Sequence, residues 1–98
     1  MAVVFLTIAP LGTGTPSVSK YVAGVEKILR GTSLKHQLTA MGTIIEGDLD
    51  EILAVIRKMH EHPFTQGAAR VSTLIKIDDR RDKEHTIAGK MRSVEEKL

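Results

Sequence analysis

Residues 36–47 read H-Q-L-T-A-M-G-T-I-I-E-G. The stretch is too short and too rich in Thr and Ile for a helix, and Met41-Gly42 falls at its middle. It reads as two short strands joined in a hairpin or a sharply bent ribbon. A strand pair at the centre of a chain decides the fold, because the segments on either side then have to pack against it.

Upstream, Val3 to Ala9 is rich in branched and aromatic residues and stops at Pro10, which predicts a strand. Both of its faces are apolar, Val3, Phe5 and Ala9 on one and Val4, Leu6 and Ile8 on the other. Such a strand is covered on both sides, by its own chain or by another subunit. Pro10 to Pro16, P-L-G-T-G-T-P, is a loop. Thr15 with Pro16 at the first helical position, or Ser17, caps the next helix. Its apolar residues Val18, Tyr21, Val22, Val25, Ile28 and Leu29 recur at helical spacing, and Gly31 ends it.

Downstream, Asp48 is an N-cap with Glu51 three positions on. The helix stripe runs through Leu49, Ile52, Leu53, Ile56 and Met59 or His60, and Pro63 closes it. Gln66-Gly67 makes a turn, and Arg70 to Ile77 alternates with Val71, Thr73, Ile75 and Ile77 on one face, a last strand. After the charged loop D-D-R-R-D-K-E-H, the residues Ile87, Met91, Val94 and Leu98 predict a short C-terminal helix.

The order strand, helix, strand, strand, helix, strand predicts an α+β, ferredoxin-like βαββαβ sandwich. Its four-stranded antiparallel sheet carries both main helices on one face, with an extra C-terminal helix. Residues 1–98 suffice for one domain with one core. The other sheet face is bare within one chain, with Leu6, Ile8, Leu38, Ala40 and Leu74 as candidates to line it. An apolar sheet face implies that copies pack together, so a homo-oligomer is expected.

Composition narrows the function. The 14 Lys+Arg against 12 Asp+Glu leave a net charge of +2, so the pI of 9.1 does not imply a polyanion partner. From Lys76 to Leu98, 7 basic and 6 acidic side chains interleave as a solvated surface. With 2 Phe and 1 Tyr, Tyr21 on a helix and Phe64 in a loop, the chain lacks the aromatic platform for reading RNA on a sheet. No nucleic acid is expected. The absence of cysteine removes disulfides and thiolate chemistry. The apolar run Val3 to Leu11 is far shorter than the roughly 20 residues of a membrane span and has no basic segment before it. A soluble, cytoplasmic protein is expected, with no membrane partner.

Four features are candidates for chemistry. His36, His60, His62 and His85 lack helical metal-pair spacing, and a histidine near a helix C-terminus ordinarily complements the dipole, so no metal is expected. In the loop, Gly12 and Gly14 can bring N–H groups to an anion, and Thr13, Thr15, Ser17 and Ser19 add hydroxyls. That loop has neither the G-K-[ST] ending of a Walker loop nor the G-x-G-x-x-G fingerprint, and a plain turn with a cap also explains it. Glu46, between Ile45 and Gly47, is either an acceptor for an amino group or cation, or an outward surface charge. Arg80 and Arg81 either sit in a solvated turn or clamp an anion or a neighbouring subunit. No nucleophile, base and orienting residue can be placed together, so nothing asks for an enzyme.

Three blocks carry a resemblance: P-L-G-T-G-T-P-S-V-S-K-Y-V-A at 10–23, M-G-T-I-I-E-G-D-L-D-E at 41–51 and L-I-K-I-D-D-R-R-D-K at 74–83. In this order and spacing, across about residues 3 to 98, they resemble the small thiamine-binding protein family, long catalogued only as conserved and of unknown function. The resemblance implies a ferredoxin-like subunit assembling into dimers or dimers of dimers, with ligand pockets near subunit contacts. It implies no catalysis and no cofactor, and a small ligand such as thiamine or its hydroxymethylpyrimidine half. Carried over by motif, Gly12, Thr13, Ser17, Ser19, Thr39, Met41, Thr43 and Glu46 form the candidate pocket. A different ligand, an anion held by the loop N–H groups and Arg80 or Arg81 at a subunit interface, is the alternative, and a structural or interaction module is the third.

Overall fold

The structure is a computed structural model that describes residues 1–12, 14 and 19–98. Strand β1 spans Ala2–Leu11, helix α1 Ser19–Arg30, β2 Lys35–Leu38, β3 Thr43–Gly47, α2 Leu49–Thr65, β4 Arg70–Asp79 and α3 Ile87–Glu95. The strands form one antiparallel sheet in the order β2-β3-β1-β4. This is the ferredoxin-like βαββαβ arrangement with an extra C-terminal helix. Among the described residues, no helix is long and apolar enough to cross a membrane.

Register sets which side chains meet the helices, because directly opposed residues in antiparallel strands share a face. Val4 lies opposite Ile45 and Ile77, and Leu6 opposite Thr43 and Ile75. That face packs against Val25 and Leu29 of α1 and Ile52, Ile56 and Met59 of α2. Val4, Leu29, Ile45, Ile52 and Met59 are fully enclosed, and each contributes about 1.5–3 kcal/mol by leaving water.

Three expectations are corrected here. Leu6 and Ile8 belong to the helix-facing set, and so does Leu38, which pairs with the inward Thr43. Of the residues expected on the opposite face, Leu74 lies there, opposite Thr7. With it stand Val3, Phe5, Ile44, Glu46, Lys76 and Asp78. Second, β1 continues through Pro10 to Leu11. β3 begins at Thr43, opposite Leu6, so from Thr7 onward β1 pairs with β4 alone. A proline is tolerated there because its missing N–H faces an edge. Third, α2 does not stop at Pro63 but carries it, and Phe64, into the last turn. The ring is buried there, and a single lost helix hydrogen bond at a helix end costs less than in the middle.

The cap expected at Asp48 is present, its Oδ2 accepting from Glu51 N at 3.2 Å. The caps expected at Thr15 and Ser17 lie outside the described residues.

Candidate functional site

Where β3 stops short of β1, the turn Thr39 to Gly42 swings beside β1 and leaves a cavity of about 180 Å³. Leu6 and Ile8 of β1, Val22 and Val25 of α1, Leu38 and Met59 give it apolar walls. Its polar side chains are Glu26, Thr39 and Thr43, while Thr7, whose side chain shares the face of Leu74, borders it from β1.

Glu26 is the unusual member. It is 6% exposed, and Thr43 Oγ1 donates to its Oε1 at 2.5 Å. Among the described residues, Oε2 has no hydrogen-bonding partner. The carboxyl is largely buried, but Oε2 is not sealed off: it opens onto the cavity, where an entering N–H donor can reach it. An acceptor among apolar walls suits a small, mostly apolar molecule that donates an N–H.

Thr39 plays a different part from Thr43. Its hydroxyl donates to Gly42 O at 2.7 Å and accepts from Met41 N at 3.2 Å and Gly42 N at 3.1 Å. That exhausts a hydroxyl's capacity and makes Thr39 the clasp of the turn. Met41 stands at the tip, 81% exposed, on the cavity rim. Gly42 touches β1 so closely that a Cβ there would lie 2.6 Å from Phe5 Cζ and 2.9 Å from Leu6 O.

The structure thus brings Thr39, Met41 and Thr43 together and adds Glu26, which the motif reading did not include. It does not bring Glu46. Three residues apart on a strand, Thr43 and Glu46 point to opposite faces. Glu46 is buried on the second face, where Oε2 accepts from Ile87 N at 2.6 Å. Thr86 Oγ1 accepts from Gly89 N at 2.9 Å. The two residues divide the unpaired N–H groups at the start of α3, where a negative charge also complements the helix dipole.

Lys90 ties the same helix to Asp78 of β4, and His85, in the loop before it, stands beside the same carboxylate. Lys90 Nζ is 2.7 Å from Asp78 Oδ2. The buried His85 has Nε2 3.2 Å from that oxygen, within ion-pair distance but off the line of a hydrogen bond. The Lys90 ammonium, hydrogen-bonded to Asp78, holds its carboxyl below the usual range.

Of the loop residues, Gly12 lies just past β1 with φ +69° and Gly14 has φ +80°, backbone that side chains avoid. Thr13 and Ser17 lie outside the described residues. Ser19 opens α1 and lines an adjoining groove along that helix. Arg80 and Arg81 are at the far end of the sheet, Arg80 N donating to Met1 O at 3.3 Å. Arg80 grips Asp82 through Nε at 2.7 Å and Nη2 at 3.1 Å. Arg81 contacts Asp79 Oδ2 through Nε at 3.1 Å and Nη2 at 2.9 Å. Both guanidiniums are engaged by carboxylates two residues away.

The histidines near the end of α2 have packing roles. His60 Nδ1 is 2.6 Å from Thr73 Oγ1, and its ring meets Phe64 edge to face at 5.7 Å. His62 sits over Gly24, where α1 and α2 approach.

Comparison with known proteins shows the family and the fold. A family model described as thiamine-binding protein matches residues 4–95. The UPF0045 protein YqgV of Bacillus subtilis is 53% identical over 102 aligned positions, covering 100% of this chain and 98% of its own. A UPF0045 protein of Methanothermobacter thermautotrophicus is 40% identical, covering 95% of each. Among solved structures, protein MJ1052 of Methanocaldococcus jannaschii superposes with a TM-score of 0.88 at 41% identity, over 97% of this chain and 96% of that one. A Thermotoga maritima protein named as a candidate for thiamine biosynthesis or salvage shares the fold, with a TM-score of 0.77 at 18% identity over 95% of this chain and 97% of that one.

Proposed function

This chain belongs to the thiamine-binding protein family, and from that premise we propose that it is a non-enzymatic, cytoplasmic carrier or sensor of thiamine or its hydroxymethylpyrimidine half. The aminopyrimidine ring enters the cavity between α1, β1 and the turn Thr39 to Gly42. One observation carries this reading: the buried carboxyl of Glu26, hydrogen-bonded by Thr43 on one oxygen and unmet on the other among the described residues. The exocyclic amino group of the pyrimidine donates to Glu26 Oε2, and the apolar walls take the ring faces. At about 180 Å³ the cavity holds the volume of roughly six waters at ~30 Å³ each, enough for one small ring. The second ring of thiamine then lies outside it.

The subunit acts in a homo-oligomer, a dimer or dimer of dimers. Val3, Phe5, Ile44 and Leu74 line an open depression on the second sheet face, beside α3, and an apolar surface of this kind favours a second copy.

Isothermal titration with thiamine and hydroxymethylpyrimidine tests the ligand. Binding by wild type, weakened at least tenfold in Glu26→Gln, is expected. No heat with either at about 1 mM, equivalent to about 4 kcal/mol of affinity, or an unchanged Glu26→Gln, overturns the reading.

A further inference from the structure

The cavity does not end at Glu26. A second, wider groove of about 630 Å³ runs along α1 beside Leu38 of β2 and shares Val22, Glu26 and Leu38 with the first. Its far end carries two cations, Lys27 and Arg30. Both stand in the last turn of α1, where basic side chains ordinarily complement the helix carbonyls. Like most basic side chains of the described residues, neither is paired with a carboxylate, and these two are the ones that stand together at the end of this groove. Among the described residues, the one acidic side chain lining this groove is Glu26, with Oε1 already taken by Thr43.

Along the helix, Arg30 lies one turn beyond Glu26, about 6 Å, and the groove from Ser19 to Arg30 is about 16 Å long. A molecule with its amino-bearing ring at Glu26 has room to extend along the groove to Lys27 and Arg30. A ligand ending in a neutral alcohol gives those cations nothing. A phosphate monoester gives them a dianion that a guanidinium can meet with paired N–H bonds.

Resting on the pyrimidine reading of the cavity, we infer that the preferred ligand is a phosphate ester of the heterocycle, with its phosphate held by Lys27 and Arg30. The source of the ester is thiamine or hydroxymethylpyrimidine, which share this chemistry and are separated by the test.

The experiment is titration calorimetry on the full chain at low ionic strength. Its ligands are thiamine, thiamine monophosphate, hydroxymethylpyrimidine and hydroxymethylpyrimidine phosphate, each offered to wild type, to Glu26→Gln and to the double variant Lys27→Ala/Arg30→Ala. Both substituted cations are exposed, and an unchanged circular dichroism spectrum checks that the double variant folds. At least one ester is expected to bind tenfold or more tighter than its parent alcohol, and whichever does identifies the source. The double variant removes that preference and leaves the parent's affinity unchanged. Equal affinity of esters and parents in wild type, or a preference that survives the double variant, overturns the phosphate assignment alone. An ester affinity indifferent to Glu26→Gln also overturns it, since the ligand then binds by its phosphate only. Failure of all four ligands overturns the pyrimidine site together with it.

Discussion

Thr43 of β3 and Glu26 of α1, seventeen positions apart in the chain, meet in a 2.5 Å hydrogen bond inside the cavity. The contact is both a packing element and half of the proposed site. Thr43→Val keeps the shape and removes the donor, leaving the carboxyl of Glu26 without a partner. A loss of about 1–3 kcal/mol in stability is expected, read from denaturant midpoints. Ligand affinity falls with it. A Thr43→Val protein as stable as wild type would show that the hydrogen bond is not formed in solution.

The two helix-side and turn glycines separate by what a methyl group would strike. At Gly42 the obstacles are Phe5 and the backbone oxygen of Leu6, and the backbone cannot move aside without opening the turn. At Gly24 the obstacle is His62 Nε2 at 2.5 Å, the far end of a side chain that can swing away. Gly42→Ala is expected to cost about 1–3 kcal/mol and to weaken ligand binding, and Gly24→Ala distinctly less. Thermal unfolding of the two variants side by side decides it, and equal losses would contradict the geometry.

Glu46 is expected to matter for α3 and not for the ligand. Glu46→Ala strips the acceptor from Ile87 N, a capping loss of about 0.5–2 kcal/mol. Amide hydrogen exchange across residues 87–95 should quicken while thiamine titrations stay as in wild type. Impaired ligand binding with unchanged exchange would return Glu46 to the site.

The pH dependence of α3 follows from Asp78. Its carboxyl is held by Lys90 below the unfolded value of about 3.9. A depressed acid stabilises the folded form fully above the unfolded value and loses that contribution as pH falls through the folded one. The Asp78–Lys90 tie is therefore intact at pH 5 and fails only below about pH 4. Asp82, held at about 2 by its hydrogen bonds from Arg80, lets go lower still. Asp78→Asn should flatten the fall in stability below pH 4 relative to wild type. Parallel pH profiles for the two proteins would exclude the tie as a contributor.

Leu74 tests assembly. It is 58% exposed on the second sheet face, in contact range of the depression formed with Phe5 and Ile44. Leu74→Asp places a charge there and is expected to shift the protein to smaller species by size exclusion with light scattering. A wild-type chain that is itself monomeric at tens of micromolar would remove the oligomer.

Much of the fold is legible because its periodicities are strong. The helical stripes of α1 and α2, the alternation of β4 and the central strand pair suffice for the ferredoxin-like order. What periodicity leaves open is which face of β1 meets the helices, since Val3, Phe5 and Ala9 are as apolar as Val4, Leu6 and Ile8. Only the register against β3 and β4 settles it. The site was legible in part. Thr39, Met41 and Thr43 share one turn, whereas parity along β3 already separates Glu46 from Thr43. Glu26 had a signal too: it lies four residues after Val22 and three before Leu29, an acid inside an apolar helical stripe.

Adjacent strands of unequal length leave the longer one to continue with half of its backbone unshared, as β1 does past Leu6. The proposed ligand cleft occupies that gap, between a core that ends at one residue pair and a turn held by the Thr39 hydroxyl. Fold and proposed recognition therefore overlap at Thr39, Gly42 and Thr43 and part only at the tip of the hairpin. The exposed tip side chains of Ala40 and Met41 can change to suit another molecule while Thr39 and Gly42 hold the turn and Ile45 the sheet, so a chain of this size can alter its ligand rim without the fold being renegotiated.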